Sequence, residues 1–236
     1  MSSSNLSANR PGRPRVSTEG GPSQRSGREQ ILDAAAALFV EFGFSATSTR
    51  AIADRVGIRQ QSLYYHFAGK DEILVELLND SVRPSNDFVA GIEAGVVDAA
   101  TAAAALYALA SVDAATLRRS PHNIGTLYLH PEVQDARFDG FREERIRLSA
   151  AYARLGRAAA RADAVQTIDE RRLGMLLIHI AEVIIQLRRE GGATEHDDGL
   201  IAATCLRTVG LDTSEIARAR ADAARLTEAV WSASVS

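Results

Sequence analysis

Apolar residues recur every three or four positions along most of this chain, the spacing that places side chains on one face of an α-helix. A first helix is predicted to begin at Ser26, which stands at capping-box spacing from Glu29, and to end at Gly43. Another is predicted from Lys70 to near Pro84, because a proline disfavours continuation of a helix. The pattern therefore predicts an all-α protein.

Two helices in the C-terminal half have informative patterns of polar and apolar residues. The first carries Arg145 within an otherwise apolar inward stripe made of Phe138, Phe141, Leu148, Tyr152, Leu155 and Ala159. Arg145 either neutralises an acidic effector inside a cavity or packs its methylenes while its charged head stays in water. The second helix, over residues 173–187, is apolar nearly all round, so it must be covered nearly all round. Its fifteen residues fall short of the roughly 20 that span a bilayer.

The most informative stretch covers residues 49–67. Its apolar residues recur at helical spacing, stop at Gly57, and resume four residues apart at Leu63 and Phe67. Glycine readily adopts the positive φ that a short turn between two steeply angled helices requires. The stretch is therefore predicted to form a helix-turn-helix, with Ala53 small enough to let the two helices cross closely.

Polar and aromatic side chains remain on the outer face of the second of these helices. They are donors, acceptors and flat rings without an acidic residue among them: Arg59, Gln60, Gln61, Ser62, Tyr64, Tyr65 and His66. In the major groove of DNA, arginine pairs with guanine edges, glutamine pairs with adenine, and apolar groups contact the thymine methyl. This outer face is therefore predicted to read DNA.

At these residues the sequence resembles the TetR family of bacterial one-component transcriptional repressors. The resemblance covers about residues 26–80 and is carried by Thr49-Arg50, by the segment from Ala53 to Gly57, by Ser62-Leu63-Tyr64-Tyr65-His66-Phe67, and by Lys70 before an acidic, apolar helix start. It implies an N-terminal three-helix DNA-binding domain followed by a helical domain that binds a small-molecule effector and dimerises. Arg59 departs from the family, which more often has a small hydroxyl residue able to cap the recognition helix.

Roles follow from this resemblance and from side-chain chemistry. Base edges are assigned to Arg59, Gln60, Gln61 and Tyr65. Backbone phosphates are assigned to Thr49, Arg50, Ser62, Tyr64, His66 and Lys70, with a guanine as a second partner for Arg50. A lysine at a helix start is unfavourable for the helix dipole, so Lys70 is expected either to meet a phosphate or to be a solvated surface residue.

Charge is distributed unevenly along the chain. The net charge is −3, but residues 1–70 hold nine Lys or Arg against five Asp or Glu (+4), and the remainder holds eighteen against twenty-five (−7). The N-terminal third is therefore the part that suits a polyanion. Residues 1–25 are predicted to be a disordered basic arm. Within it Arg13 and Arg15 resemble the AT-hook arginines that enter an A·T-rich minor groove, although a merely soluble basic tail is the alternative.

The predicted organisation is a basic arm over residues 1–25, a helix-turn-helix domain over 26–70, and a helical effector-binding and dimerisation domain over 71–236. Helices on either side of Gly191-Gly192 are expected to meet a second copy as a four-helix bundle, unless they form the core of the monomer. The predicted dimer interface is Leu176, Ile180, Ile184, Leu187, Ile201 and Cys205. The predicted effector pocket is Tyr107, Phe138, Phe141, Arg145, Met175 and His179.

Chemistry of other kinds has little support. The five histidines and one cysteine show no metal-ligand spacing, and no phosphate loop, nucleophile elbow or dinucleotide fingerprint occurs. We therefore expect no metal, no cofactor and no enzymatic activity. The single cysteine and the lack of an apolar segment near the start predict a cytoplasmic protein. The sequence predicts a dimeric regulator that binds a two-half-site operator and leaves it on effector binding. The alternative is a helical small-molecule-binding or scaffolding protein with a vestigial DNA-binding fold.

Overall fold

The computed structural model describes residues 25–161 and 163–234, and every regular element in these ranges is a helix. Nine are α-helices: α1 Gly27–Phe42, α2 Thr49–Val56, α3 Gln60–His66, α4 Lys70–Glu93, α5 Ala99–Arg119, α6 Asp139–Ala159, α7 Glu170–Arg189, α8 Glu195–Thr208 and α9 Thr213–Ser234. Three 3-10 turns, Ile124–Leu127, Pro131–Gln134 and Ala136–Phe138, lie between α5 and α6. The predicted all-α fold is confirmed. The predicted minor-groove residues Arg13 and Arg15 lie outside the described residues.

The first three helices pack around fully buried apolar side chains. The predicted capping box is present: Ser26 Oγ accepts from the Glu29 amide at 3.2 Å, and the Ser26 amide donates to the Glu29 carboxylate at 2.7 Å. Phe39 from α1, Ile52 from α2 and Leu63 from α3 are completely buried and belong to one apolar cluster. Burying each such side chain contributes about 1.5–3 kcal/mol, so this small core fixes how α3 sits on α1 and α2.

Helix α4 continues to Glu93 with Pro84 inside it, so the prediction that it ends near Pro84 is wrong. A proline in a helix interior costs about 3 kcal/mol, because it lacks an amide proton and crowds the carbonyl four residues earlier. The helix persists because apolar residues are buried on both sides of the proline, Leu78 before it and Ile92 after it. α4 therefore joins the first three helices to the rest of the molecule as one continuous element.

Helix α5 forms the centre of the body and is contacted by α4, α6, α7, α8 and α9. Its many alanines are buried, and their small size allows neighbouring helices to approach closely. Among the described residues, Ala99–Arg119 is the one helix long and apolar enough to cross a membrane, and 67% of its most apolar stretch is buried inside the fold. That degree of burial is typical of a core helix.

A buried polar network crosses the body. The Asp113 carboxylate on α5 accepts from Ser85 Oγ on α4 at 2.7 Å and from the Tyr152 hydroxyl on α6 at 2.9 Å. Burial raises the pKa of Asp113 to about 6, although the two hydroxyl donors partly oppose this shift. The network therefore ties three helices together at the cost of holding a carboxylate away from water.

Three residues of the predicted dimer interface are core residues, so that part of the prediction is wrong. Ile184, Ile201 and Cys205 are buried within the single chain, because α7 and α8 turn these side chains toward α5 and α6. Burial raises the pKa of the Cys205 thiol to about 12, so the thiol stays protonated. Leu176 is exposed, and Ile180 and Leu187 are half-buried.

Candidate DNA-binding surface

Helices α2 and α3 begin and end through local interactions. Ser48 Oγ accepts from the Ala51 amide at 3.1 Å and so caps the start of α2. Gly57 ends α2 with φ of 78°, the left-handed conformation that was predicted for this turn. Arg59 precedes α3 without making a side-chain cap, which agrees with its departure from the family pattern. The predicted helix-turn-helix is therefore confirmed.

The outer face of α3 is exposed as predicted. Leu63 and Phe67 point into the core with 0% and 1% exposure, whereas Tyr64 and Tyr65 are 50% and 88% exposed. The other exposed residues of this face are Arg59, Gln60, Gln61, Ser62 and His66. A tyrosine as exposed as Tyr65 places a large apolar ring in water, which favours an interaction surface.

Three of the predicted contact residues bond to one another across α2 and α3. Gln60 Nε2 donates to Thr49 Oγ1 at 2.9 Å, and Thr49 Oγ1 lies 3.2 Å from the Tyr64 hydroxyl. The side-chain amide of Gln60 is therefore oriented before any partner arrives, with its carbonyl oxygen free to accept. Gln61 and Ser62 make no side-chain hydrogen bond within the described part of the chain.

Arg50 and His66 lie at the margins of this face. The guanidinium of Arg50 is 3.9 Å from the Asp54 carboxylate, and both side chains are more than 70% exposed. Exposed pairs of this kind contribute only about 0.3–0.5 kcal/mol, so a phosphate can replace Asp54 at little cost. The ring of His66 packs edge-on against Tyr65, with 5.5 Å between the ring centres.

The ammonium of Lys70 is bound within the protein and is not simply solvated, whereas its predicted phosphate contact stays a prediction. Its ammonium donates to the backbone carbonyls of Phe44 at 2.8 Å, Thr47 at 2.8 Å and Ser45 at 3.3 Å. It also lies 4.5 Å from the centre of the Phe44 ring, a cation–π distance. The prediction of a solvated surface lysine is therefore wrong.

A cleft of about 840 Å³ opens between α6, α7 and the segment of 3-10 turns. Four residues of the predicted effector pocket line it: Phe141, Arg145, Met175 and His179. Phe138 does not, because it is fully buried with its ring edge-on to Phe44 at 6.5 Å. Tyr107 lies elsewhere, with its hydroxyl 3.4 Å from the Gly199 carbonyl of α8. Phe138 and Tyr107 therefore do not line this cleft.

The charged head of Arg145 is not in water, contrary to the simpler of the two expectations. It pairs with Glu182 of α7 and lies 4.8 Å from the centre of the Tyr128 ring. Arg145 Nε is buried without a hydrogen-bond partner. Tyr128 in turn bonds to Ser81 Oγ of α4 at 2.7 Å, so one wall of the cleft is connected to α4.

The 3-10 segment (residues 121–138) also contacts the first helices directly. His122 Nε2 lies 3.1 Å from the Asp33 carboxylate of α1, and Ser45 bonds to Glu132. Hydrogen bonds from His130 and Ser45 lower the pKa of Glu132 to about 2. Sequence reasoning missed these contacts, because polar residues in a loop carry no periodic signal that identifies their partners.

Among residues 25–161 and 163–234, no group of three or more His, Cys, Asp or Glu side chains is arranged to hold a metal ion. Three surfaces remain as candidates for function. They are the outer face of α3, the cleft, and the exposed apolar face of α7 that bears Leu176.

Comparison with known proteins identifies the N-terminal helices. The pattern described as bacterial regulatory proteins, tetR family, matches residues 31–77. The HTH-type transcriptional repressor KstR2 of Mycobacterium tuberculosis is 53% identical over 53 residues, which cover 22% of this chain and 26% of that protein. KstR2 of Mycolicibacterium smegmatis is 40% identical over 81 residues, which cover 34% of this chain and 38% of that protein. The matched segments thus span only a quarter to two fifths of these curated relatives.

Similarity to a solved structure extends over nearly the whole chain. The crystal structure of Mycobacterium smegmatis AmtR aligns with a TM-score of 0.76 and 36% sequence identity, covering 91% of this chain and 98% of that one. At this identity and coverage the likeness reaches well beyond the helix-turn-helix into the helical body. The chain belongs to the TetR family of bacterial regulatory proteins.

Proposed function

We propose that this protein is a homodimeric, sequence-specific DNA-binding repressor that a small molecule releases from its operator. The observation that carries the proposal is the exposed face of α3, which presents polar and aromatic side chains on a helix held rigidly by Leu63 and Phe67. The relatives named as transcriptional repressors support the repressor part of this proposal.

Base reading is assigned to outward-facing residues whose polar atoms are free to bond to DNA. Gln61 and Tyr65 are the clearest, and Gln60 joins them through its free carbonyl oxygen. Each good bidentate contact contributes about 1–3 kcal/mol of discrimination between bases. Arg59 extends the reading face. Backbone phosphates are assigned to Thr49, Arg50, Ser62, Tyr64, His66 and Lys70.

Dimerisation is assigned to an apolar stripe along α7. Leu176, Ile180, Val183 and Leu187 follow one another at intervals of four, three and four, which puts them on one face of the helix. Leu176 and Val183 are 48% and 46% exposed, and Leu200 of α8 is 50% exposed. A second copy related by a two-fold axis would bury this face as a four-helix bundle and hold two α3 helices at half-sites roughly 34–36 Å apart.

Charged substitutions test the stripe. Replacing both Leu176 and Val183 by Glu should turn the dimer into a monomer at micromolar concentration in analytical ultracentrifugation. Operator affinity should then fall by more than about tenfold, because one α3 helix makes too few contacts alone. Val97→Glu is the matched control, because Val97 is 83% exposed and lies outside the stripe. A double variant that stays dimeric would contradict the assigned interface.

Effector release is assigned to the cleft. Its volume lies within the range of small-molecule sites, and its walls include Phe141, Ile178 and Met175. Two connections lead from the cleft toward DNA: Tyr128 bonds to Ser81 of α4, and the 3-10 segment reaches α1. A coupling free energy of about 1–3 kcal/mol would change operator affinity roughly 5- to 150-fold.

Gel-shift assays on the intergenic DNA upstream of the gene, repeated across salt concentrations, separate this function from a helical ligand-binding or scaffolding role. The wild-type chain should form a discrete complex that competitor DNA of unrelated sequence does not displace. Tyr65→Ala should weaken that complex, because it removes the most exposed ring of α3. Equal binding of the upstream intergenic DNA and of DNA with an unrelated sequence would favour the scaffolding alternative.

A further inference from the structure

The guanidinium of Arg145 lines the cleft between α6 and α7 with most of its hydrogen-bonding capacity unused. Its side chain is 19% exposed, and within the described part of the chain Glu182 is its one hydrogen-bond acceptor. A guanidinium carries five N–H donors, so a single carboxylate oxygen leaves several of them without an acceptor. One of these donors, Nε, is buried. Because buried polar groups are nearly always hydrogen-bonded, Arg145 suits a ligand that brings acceptor atoms into the cleft.

Arg118 shows how the same chain satisfies a guanidinium of similar burial. Its side chain is 13% exposed, and its Nε and Nη2 donate to both carboxylate oxygens of Asp198 at 2.9–3.2 Å. The two oxygens of one carboxylate match the planar fork of a guanidinium. Glu182 gives Arg145 only one oxygen, and its other oxygen lies 4.0 Å from His179 Nε2. A carboxylate brought by a ligand would therefore find free donors on Arg145.

Directed hydrogen bonds, rather than net charge, determine which ligand this cleft favours. Arg142 and Arg145 both line the cleft, but each already pairs with a carboxylate of the protein. The charge of Arg171, a third lining arginine, is balanced by the neighbouring Glu170, which also lines the cleft. The donors of Arg145 that Glu182 leaves free are therefore the feature that distinguishes a carboxylate from a neutral or cationic group.

Exposed apolar side chains surround the same cleft. Leu129, Ile146 and Met175 all line it, and they are 78%, 67% and 44% exposed. A single exposed apolar side chain is ordinary, but three of them around one concave site favour a ligand with an apolar body. These three residues are called the apolar rim below. The cleft thus combines an apolar rim with a guanidinium that has donors to spare.

We infer that the cleft binds a small-molecule carboxylate, whose carboxylate group accepts hydrogen bonds from Arg145 and whose apolar body lies against the apolar rim. The inference rests on the proposed function, because it gives the effector of that function a chemical class. The guanidinium lies 4.8 Å from the centre of the Tyr128 ring, and the Tyr128 hydroxyl lies 2.7 Å from Ser81 Oγ of α4. A carboxylate that shifts Arg145 therefore also acts on Tyr128, which joins the cleft to α4.

Isothermal titration calorimetry of the full chain with three probes that share an octyl chain tests this class. At neutral pH octanoate is an anion, octanol is neutral and octylammonium is a cation. Octanoate should bind at one site per chain about tenfold more tightly than octanol, because hydrogen bonds between charged groups are stronger than those to a hydroxyl. Octylammonium should bind most weakly. Absence of octanoate binding, or binding of either other probe as tightly as octanoate, would overturn the inference.

Substitution of Arg145 tests its part in this preference. Arg145→Met should lower octanoate affinity about tenfold, to that of octanol, and leave octanol affinity unchanged. Arg147→Met is the matched control, because Arg147 lies on the same helix, is 66% exposed and does not line the cleft. Since Arg145→Met leaves Glu182 without its partner, the double variant with Glu182→Gln guards against misfolding. A preference for octanoate that persists in both Arg145 variants would overturn the role of Arg145.

The place of the apolar body is tested by Ile146→Ser. This substitution should weaken octanoate and octanol by the same factor, about fivefold, because both probes lose the same apolar contact. Unchanged affinities would show that the octyl chain does not lie against the apolar rim.

Calorimetry requires no DNA, so it reports on the ligand class even if the chain binds no operator. In gel shifts, octanoate should lower the operator affinity of the wild-type chain. Tyr128→Phe, which keeps the ring and removes the bond to Ser81, should bind octanoate as the wild type does and show a smaller fall in operator affinity. Octanoate that binds with the expected preference but leaves operator affinity unchanged would contradict effector release and uphold the ligand class.

Discussion

Replacing Asp113 by Asn removes the buried carboxylate at the centre of the body. The side chain is 3% exposed, and it accepts hydrogen bonds from Ser85 and Tyr152. Asparagine has nearly the same shape and keeps one acceptor oxygen. Its amide can donate to a hydroxyl that rotates to accept, so the network can stay satisfied. The substitution therefore changes mainly the proton-linked part of the stability.

The expected change in the free energy of unfolding with pH follows from the pKa of Asp113. Burial raises this pKa from 3.8 to about 6 in the folded protein. The folded state therefore binds a proton more readily than the unfolded state, so this stabilisation is complete at low pH and is lost as pH rises through about 6. A shift of about two pKa units corresponds to roughly 3 kcal/mol, of which about 2 kcal/mol falls between pH 4.5 and pH 7.5.

Urea unfolding of both proteins at pH 4.5 and pH 7.5 measures the effect, with protein concentration held fixed because dimerisation adds to stability. The free energy of unfolding of Asp113→Asn, relative to wild type, should rise by about 2 kcal/mol between these two pH values. Other titrating groups are common to both proteins and cancel in the difference. A difference that does not change with pH would refute the assignment of the raised pKa to Asp113.

Two further predictions concern packing in the helical body. Gly174→Val should lower the free energy of unfolding by about 3 kcal/mol in thermal melts, because even a Cβ at this position would lie 2.3 Å from the Ser149 carbonyl oxygen. Gly192→Ala is the control, because the space around Gly192 is open. Arg118→Met should cost about 3–5 kcal/mol in urea unfolding, since it leaves Asp198 buried without the guanidinium that now lies 2.9 Å away. Adding Asp198→Asn to Arg118→Met should recover part of that loss, and no recovery would contradict the pairing.

Local sequence rules predicted the DNA-binding helices well and failed where long-range packing decides. Gly57 ends α2 because its positive φ is a property of one residue and its turn. The corresponding local rule for Pro84 gave the wrong end for α4, because buried residues on both sides of the proline sustain the helix. The cost of about 3 kcal/mol for a proline inside a helix can be read from the sequence, but the tertiary packing that outweighs it cannot.

The helix over residues 173–187 shows a different limit. Because it is apolar nearly all round, periodicity cannot tell which of its sides faces the core of the monomer. Ile184 proved to be buried, while its neighbour Val183, absent from the predicted interface, is exposed. The carbonyl partners of Lys70 could not be predicted either. They are backbone acceptors 23 to 26 residues away, and the pattern of side chains does not indicate which backbone carbonyls a lysine will meet.

The proposed function requires that the outer face of α3 distinguish one DNA sequence from another. The decisive measurement is the affinity of wild type and Gln61→Ala for the operator, for operators changed at single base pairs, and for unrelated DNA. Gln61→Ala should lose about 1–3 kcal/mol on the operator, lose discrimination at one symmetry-related position in each half-site, and bind unrelated DNA as wild type does. Equal losses on every DNA, or no loss on the operator, would contradict the claim that this face reads bases.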